Sequence, residues 1–479
     1  MRVEFSPFLT DQKENLRQLI AALTPYFSYV SVLGTDNSGK QFLVQKTGSN
    51  VSDSRWTERG FVVRVYDGAR GRYFEYSYNQ PLPAATLAET IRAKANEAFT
   101  SVDSSGIHSI PYPVINEKPL QHSYHGEVAV PPGSISTAAK VRQLTAIHEK
   151  ALSYPMKSGD LVDCRVRYEE VYVSKIFVSK QRDLEQSYIW SQGYLIPIVR
   201  RDGQTKFCYR SFSGLHGPEL LETMTAAPHA AVALAERLLD AKPAEPGEYN
   251  VICSPEVAGL IAHEAFGHGV EMDMFVKNRA KAVEYLGKPV ASNLVTMHDG
   301  AAAASHVSSY FFDDEGNSAT DTVVIDRGIL KAGISDQLSA MKLGTVPTGN
   351  GKRESFERKA YARMTNTFFA AGTDRLNEMI GSIRHGYLLD GMMSGMEDPK
   401  NWGIQCMILW GEEIRDGKLT GNLISPVVMT GYVPDLLKAV SMVSTDVELF
   451  GSGACGKGHK EWAKVSDGGP YIKTRARLG

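Results

Sequence analysis

Tyr249-Asn250-Val251-Ile252-Cys253-Ser254-Pro255-Glu256, running on through Val257, Leu260 and Ile261 into Ala262-His263-Glu264-Ala265-Phe266-Gly267-His268-Gly269-Val270-Glu271, is the stretch that organises this chain. Tyr249 to Cys253 reads as a buried strand. Ser254 is a good N-cap, Pro255 suits the first helical position, and Glu256 sits where the helix dipole favours an anion. A capped helix therefore carries two histidines five positions apart, with a glutamate beside the first. These are the residue types a catalytic divalent metal takes from a protein. In the familiar His-Glu-x-x-His helix the two rings lie about 40° apart around the axis, whereas i to i+5 spacing separates them by about 140°. Both rings reach one ion only if the helix is locally over-long, as in a π-bulge, or ends between them, and Gly267 and Gly269 supply the backbone freedom. The competing reading is a helix C-terminus whose histidines bond the last carbonyls. A chain of this composition yields a His-acid-x-x-x-His string by chance only about 0.03 times, and the cap, the helix and the glycine stop favour the metal reading.

The sharpest compositional break is Lys242-Pro243-Ala244-Glu245-Pro246-Gly247, a Pro/Gly-rich hinge just ahead of the strand. It divides the chain into an N-terminal α/β domain, residues 1–243, and a C-terminal domain, residues 244–479. The fold class is mixed α+β (α/β): a helix and antiparallel-sheet domain followed by a β-rich domain that carries the histidine helix. In the first half, Asp11 to Leu23, Ala84 to Phe99 and Ser134 to Leu152 read as helices, and Pro218 to Leu239 as one long helix. Strands are expected at Tyr29 to Leu33, Gln41 to Gln45, Gly60 to Tyr66, Tyr73 to Tyr78, Leu161 to Val173, Leu184 to Ser191, Tyr194 to Arg200 and Thr205 to Phe212. Turns fall at Asp36-Asn37-Ser38-Gly39 and Asp67-Gly68, and Pro111 to Pro132 reads as connection. In the second half, Ser309 to Phe312, Thr322 to Ile325, Arg363 to Phe369, Trp402 to Gly411 and Gly421 to Thr430 read as strands. Hairpin turns are expected at Asp326-Arg327-Gly328 and Arg415-Asp416-Gly417, and Gly344 to Tyr361 is a long aperiodic loop. No internal repeat is present.

Composition narrows the function classes. With 479 residues, 43% hydrophobic and 22% charged, this is an ordinary globular composition large enough for two cores. A net charge of −2 gives no global electrostatic case for nucleic acid. The amino terminus, Met1-Arg2-Val3-Glu4-Phe5-Ser6-Pro7, has the pattern of neither a signal peptide nor a membrane span. Five scattered cysteines, an odd number without close pairing, fit a reducing cytoplasm, with any functional cysteine a ligand or nucleophile.

A catalytic metal usually takes three protein ligands. Glu271 and Asp273 are near in sequence, His298 and His306 lie further on, and Gly451-Ser452-Gly453-Ala454-Cys455-Gly456-Lys457-Gly458-His459 offers a cysteine among small residues, with Lys457 placed to favour its thiolate. Cys455 with His459 is also a conceivable nucleophile pair.

Taken with Phe312-Asp313-Asp314-Glu315-Gly316, Thr348-Gly349-Asn350-Gly351-Lys352-Arg353-Glu354-Ser355, Arg363-Met364-Thr365-Asn366-Thr367 and Cys455-Gly456-Lys457, the His263-Glu264-x-x-x-His268-Gly269 string resembles the TldD/PmbA family of cytoplasmic metallopeptidases, specifically its metal-bearing TldD branch. The likeness covers blocks across the C-terminal half and, more loosely, Val63-Arg64-Val65-Tyr66-Asp67-Gly68. It implies one Zn2+ per subunit held by His263, His268 and Cys455, with Glu264 as the catalytic carboxylate. It further implies a cytoplasmic subunit, homodimeric or paired with a metal-free paralogue, that cleaves short or unfolded peptides and needs neither nucleic acid nor membrane. Arg353, Arg363 and Asn366 are candidates for substrate contacts. The rival from another class is a peptide-binding or assembly subunit of a hetero-oligomeric protease with little activity of its own.

Overall fold

A computed structural model of the chain describes residues 1–105, 111–457 and 461–479. The N-terminal half is built on a nine-stranded sheet, drawn from residues 29 to 214, whose main path runs Arg72–Tyr78, Glu58–Asp67, Tyr29–Gln45, Asp160–Ser179, Arg182–Arg201, Leu120–His125. Helices Pro7–Leu23 and Ala84–Ser104 pack together on it through Leu9, Leu16, Leu19, Leu87 and Ile91, against Val32, Phe61, Val63 and Ile176. Thr137–Leu152 and Pro228–Arg237 cover another part of it through Leu144, Ile147, Ala231 and Val232.

The C-terminal half contains a closed barrel. Gly247–Cys253, His385–Asp398, Gly403–Arg415, Val427–Tyr432 and Ile472–Leu478 pair in that order, and Gly247–Cys253 also pairs with Ile472–Leu478, which completes the ring. Closure removes the exposed edges that an open sheet would leave. A second, six-stranded sheet includes Met297–Asp299, Asn366–Phe369, Ser466–Gly469 and Glu448–Phe450. The helix that follows Cys253 lies between His385–Asp398 of the barrel and the strands Asn366–Phe369 and Ser466–Gly469 of this sheet. Val257, Ala258, Leu260, Ile261, Ala262, Ala265 and Phe266 are fully buried there. The approach is close: a Cβ on Gly259 would stand 2.5 Å from the Gly468 backbone nitrogen.

The mixed α and β architecture read from the sequence is present, and several of its elements differ in detail. Asp36-Asn37-Ser38-Gly39 is not a turn but the middle of one long strand, Tyr29–Gln45. There Asn37 Oδ1 accepts from the Ser174 amide, and Gly39 lets the neighbouring strand approach so closely that a Cβ would stand 2.6 Å from the Glu170 carbonyl. The two strands expected between Leu184 and Arg200 are likewise one, Arg182–Arg201, and the Pro111 to Pro132 connection holds the strand Leu120–His125. Pro228 divides the single helix expected over Pro218 to Leu239 into Leu220–Thr225 and Pro228–Arg237, because proline cannot donate within a helix. Ser309 to Phe312 is not a strand. Both hairpin turns form, with Arg327 and Asp416 at φ of 43° and 47° followed by glycines at 85° and 75°.

Candidate metal centre

The distortion demanded by the histidine spacing is in the helix. Ser254 caps it by accepting from the Val257 amide, α-helix runs over Pro255–Leu260, π-helix over Ile261–Gly267, and a 3-10 turn over His268–Val270. The wider π turn brings position i+5 round toward position i. The rings of His263 and His268 stand 5.3 Å apart, centroid to centroid, and almost perpendicular. Gly267 is needed at this point, since a Cβ there would stand 2.1 Å from Met364 Sδ and 2.9 Å from the Ala262 carbonyl.

Cys455 arrives from the far end of the chain. One donor atom from each of His263, Glu264, His268 and Cys455 lies within 4.8 Å of all the others. Cys455 Sγ is 3.3 Å from His268 Nε2, and the Glu264 carboxylate oxygens are 3.9 Å and 3.8 Å from the Nε2 atoms of His263 and His268. His263 is 3% exposed, and neither of its ring nitrogens has a hydrogen-bond partner, which is costly for a buried imidazole and fits a ring whose partner is an ion. Two imidazoles and a thiolate are donors that zinc accepts. Burial opposes charge on the Cys455 thiol, but the two histidines outweigh it and bring its pKa well down. The same thiolate raises His263 to about 9 against the cost of burial. Lys457 is not the cause: its ammonium is bound to Asp273 at 2.6 Å and Glu271 at 2.9 Å.

Other candidates take different roles. Glu271 accepts from His268 Nδ1 at 3.2 Å and so fixes the ring with Nε2 turned to the cluster. Lys457 and His268 hold its carboxyl well below the usual range in spite of complete burial. Glu397, pushed up to about 8 by burial, bonds the Gly269 amide at 2.9 Å and braces the turn after His268. His298 pairs with Asp321, and His306 is half-buried elsewhere, its pKa brought down to about 4 by desolvation and by Lys464. His459, and with it the Cys455/His459 pairing, lies outside the described residues.

The loop carrying Cys455 is held from both halves of the chain. Cys455 exchanges two backbone hydrogen bonds with Ala463, and Arg363 donates to its carbonyl at 2.9 Å. From the N-terminal sheet, the Gln192 side chain accepts from the Gly453 amide, the Phe212 carbonyl accepts from the Ser452 hydroxyl, and Tyr194 donates to the Ser452 carbonyl. A cavity of about 260 Å³ opens in front of the cluster, lined by His263, Glu264 and Cys455 together with Tyr194, Tyr209, Glu256 and Asp467.

The three residues expected to contact substrate are engaged inside the protein instead. Arg363 is 2% exposed and braces the Cys455 loop, with its Nε 3.6 Å from Glu271. Asn366 is fully buried and donates to the Gly300 carbonyl, and Arg353 pairs with Glu75 at 2.5 Å with its side chain only 4% exposed. Each lies in a block that also builds the sheet or the interface, and a sequence motif does not separate bracing from binding.

Residues 246–476 match the family model described as the PmbA/TldA metallopeptidase C-terminal domain. A metalloprotease of Methanocaldococcus jannaschii is 31% identical over 314 residues, 65% of this chain and 69% of that protein. A zinc metalloprotease TldD homolog of Saccharolobus solfataricus is 27% identical over 336 residues, 70% and 72% of the two chains. Among solved structures, TldE from Thermococcus kodakarensis superposes with a TM-score of 0.71 at 19% identity, covering 97% of this chain and all of that one. A Thermotoga maritima protein does so at 0.76 with 17% identity, over 98% of this chain. These two likenesses concern the fold. Sequence blocks, donor cluster and relatives converge, and the chain belongs to the TldD/PmbA family of metallopeptidases.

Proposed function

We propose that the protein is a zinc-dependent peptidase that hydrolyses short or unfolded peptides. The observation that carries this is the convergence of His263, His268 and Cys455 with Glu264 at the wall of an open cavity. The three donors would hold one zinc ion. When bound, zinc supplies a Lewis acid for the scissile carbonyl and acidifies a water molecule at neutral pH. Glu264 is 24% exposed on its side chain and its carboxylate lies 3.9 Å and 3.8 Å from the two imidazoles, so it is positioned to accept a proton from an attacking water and return it to the leaving amine. Glu271 orients His268 throughout, and the buried Arg363 keeps the cysteine loop in place. Pairing with a second copy or a metal-free paralogue, and a cytoplasmic setting, belong to the same proposal.

Elemental analysis of the purified protein, combined with hydrolysis of an unfolded peptide mixture before and after chelation, tests the reading. One zinc per chain, loss of cleavage with the chelator and recovery on adding zinc are expected. A zinc-free protein that binds peptides without cutting them would establish the assembly-subunit alternative instead.

A further inference from the structure

We propose that the cavity in front of the cluster contains a subsite for a positively charged group of the substrate, an ammonium or guanidinium, held by Asp467 and Glu256; it rests on the peptidase reading and names the substrate class. Asp467 is 6% exposed and lines the cavity, and its Oδ2 is buried without a hydrogen-bond partner. A buried carboxylate oxygen left unpaired is costly: burial pushes the Asp467 carboxyl up to about 7 against the pull of His263, and a cation entering the cavity would offset that cost. Glu256 lines the same cavity from the first turn of the site helix. Its Oε1 is 2.9 Å from the Tyr209 hydroxyl oxygen, which also lies 2.5 Å from the Met392 carbonyl, so the two acceptors share one hydroxyl proton. Burial and the neighbouring Asp390 push Glu256 up to about 8, so the carboxyl lacks the compensating charge that would keep it ionised. Arg210, exposed and outside the lining, is the basic residue that acts on it. Among the described residues no lysine or arginine lines the cavity.

The placement suits a group close to the scissile bond. Asp467 Oδ2 faces Gly259, at 2.7 Å from where its Cβ would stand, one turn before His263 on the same helix. Glu256 is two turns before His263, about 10 Å along the axis. That distance is spanned by one residue and an extended lysine or arginine side chain, or by a residue ending in a free α-amine. Both sources share the chemistry, and the experiment separates them.

Glu264→Gln protein loaded with zinc is titrated calorimetrically with neutral hexapeptides in which a single lysine is moved through the positions. Each is compared with its norleucine counterpart, and each pair with its N-acetylated form. Binding weaker by about tenfold or more on loss of the charge is expected at one place. A lysine effect indicates a side-chain subsite, and an acetylation effect an amino-terminal one. Adding Asp467→Asn should bring that ratio to about one, and Glu256→Gln should reduce it. Equal binding of charged and uncharged peptides, or no binding at all, overturns the subsite. Should Asp467→Asn not fold, the ratio in the Glu264→Gln protein and the Glu256→Gln effect still decide. Hydrolysis of the same peptides by the zinc-loaded wild type separates the two claims. Charge-dependent binding without cleavage keeps the subsite and removes the peptidase reading, and cleavage without charge dependence does the reverse.

Discussion

Glu271 sets which nitrogen of His268 faces the cluster, and it does so while pairing with the buried Arg363 and with the half-buried Lys457, which Asp273 also holds. Glu271→Gln should therefore weaken zinc binding by about 10- to 100-fold, read by competition with a chromophoric chelator. It should also destabilise the fold, because Arg363 loses its carboxylate while Lys457 keeps only Asp273. Unchanged affinity would mean that His268 is oriented by something else. Cys455→Ser should lower zinc affinity further, and undiminished metal content would put the third donor elsewhere. The His263/Glu264/His268 string was legible because its donors are local in sequence and their spacing carries geometry. Cys455 came into view through the ordered motif blocks. Asp467 and Glu397 gave no signal, since a single acidic residue in a strand acquires meaning only from the helix packed against it.

At the level of the element, the π turn over Ile261–Gly267 is what brings an i, i+5 pair of histidines to one point; Gly267 lies within it, and Gly259, in the α-helical turn before it, lets the helix pack against the Gly468 backbone. At Gly267 the obstacle to a Cβ is chiefly the flexible Met364 side chain, whereas at Gly259 it is the Gly468 backbone. Gly267→Ala should cost about 1–3 kcal/mol in chemical denaturation, and Gly259→Ala more, because a strand cannot move aside as a thioether can. The reverse order would contradict the packing described for the helix. The helix, its cap and its distortion were all readable, being set by neighbours in sequence. Turn chemistry misled at Asn37-Ser38-Gly39, where pairing with Asp160–Ser179 overrides local preference, and the closed barrel was not readable because its closure joins residues 247–253 to 472–478.

For the whole molecule, the site depends on the junction between the halves: Gln192, Tyr194 and Phe212 hold the Cys455 loop from the N-terminal sheet. Glu75 is a second junction, between Arg64 on its own sheet and Arg353 in the other half. Burial works against its ionisation, but the two guanidiniums outweigh it and bring its carboxyl from 4.5 down to about 2. Folding is thus favoured by the ionised form, on the order of 3 kcal/mol above pH 4.5, a contribution that fades as pH falls toward about 2. Thermal unfolding of Glu75→Gln should show a lower Tm than wild type at pH 7 and a shrinking difference through that acid window; a constant difference would exclude the linkage.

We propose Glu264 as the proton acceptor beside a zinc held by His263, His268 and Cys455. The most direct test is the rate at which zinc-loaded Glu264→Gln cleaves an unfolded peptide mixture, followed by mass spectrometry of the products. Full zinc content with cleavage slowed by about 100-fold or more is the predicted result, and cleavage at the wild-type rate with zinc still bound would contradict it.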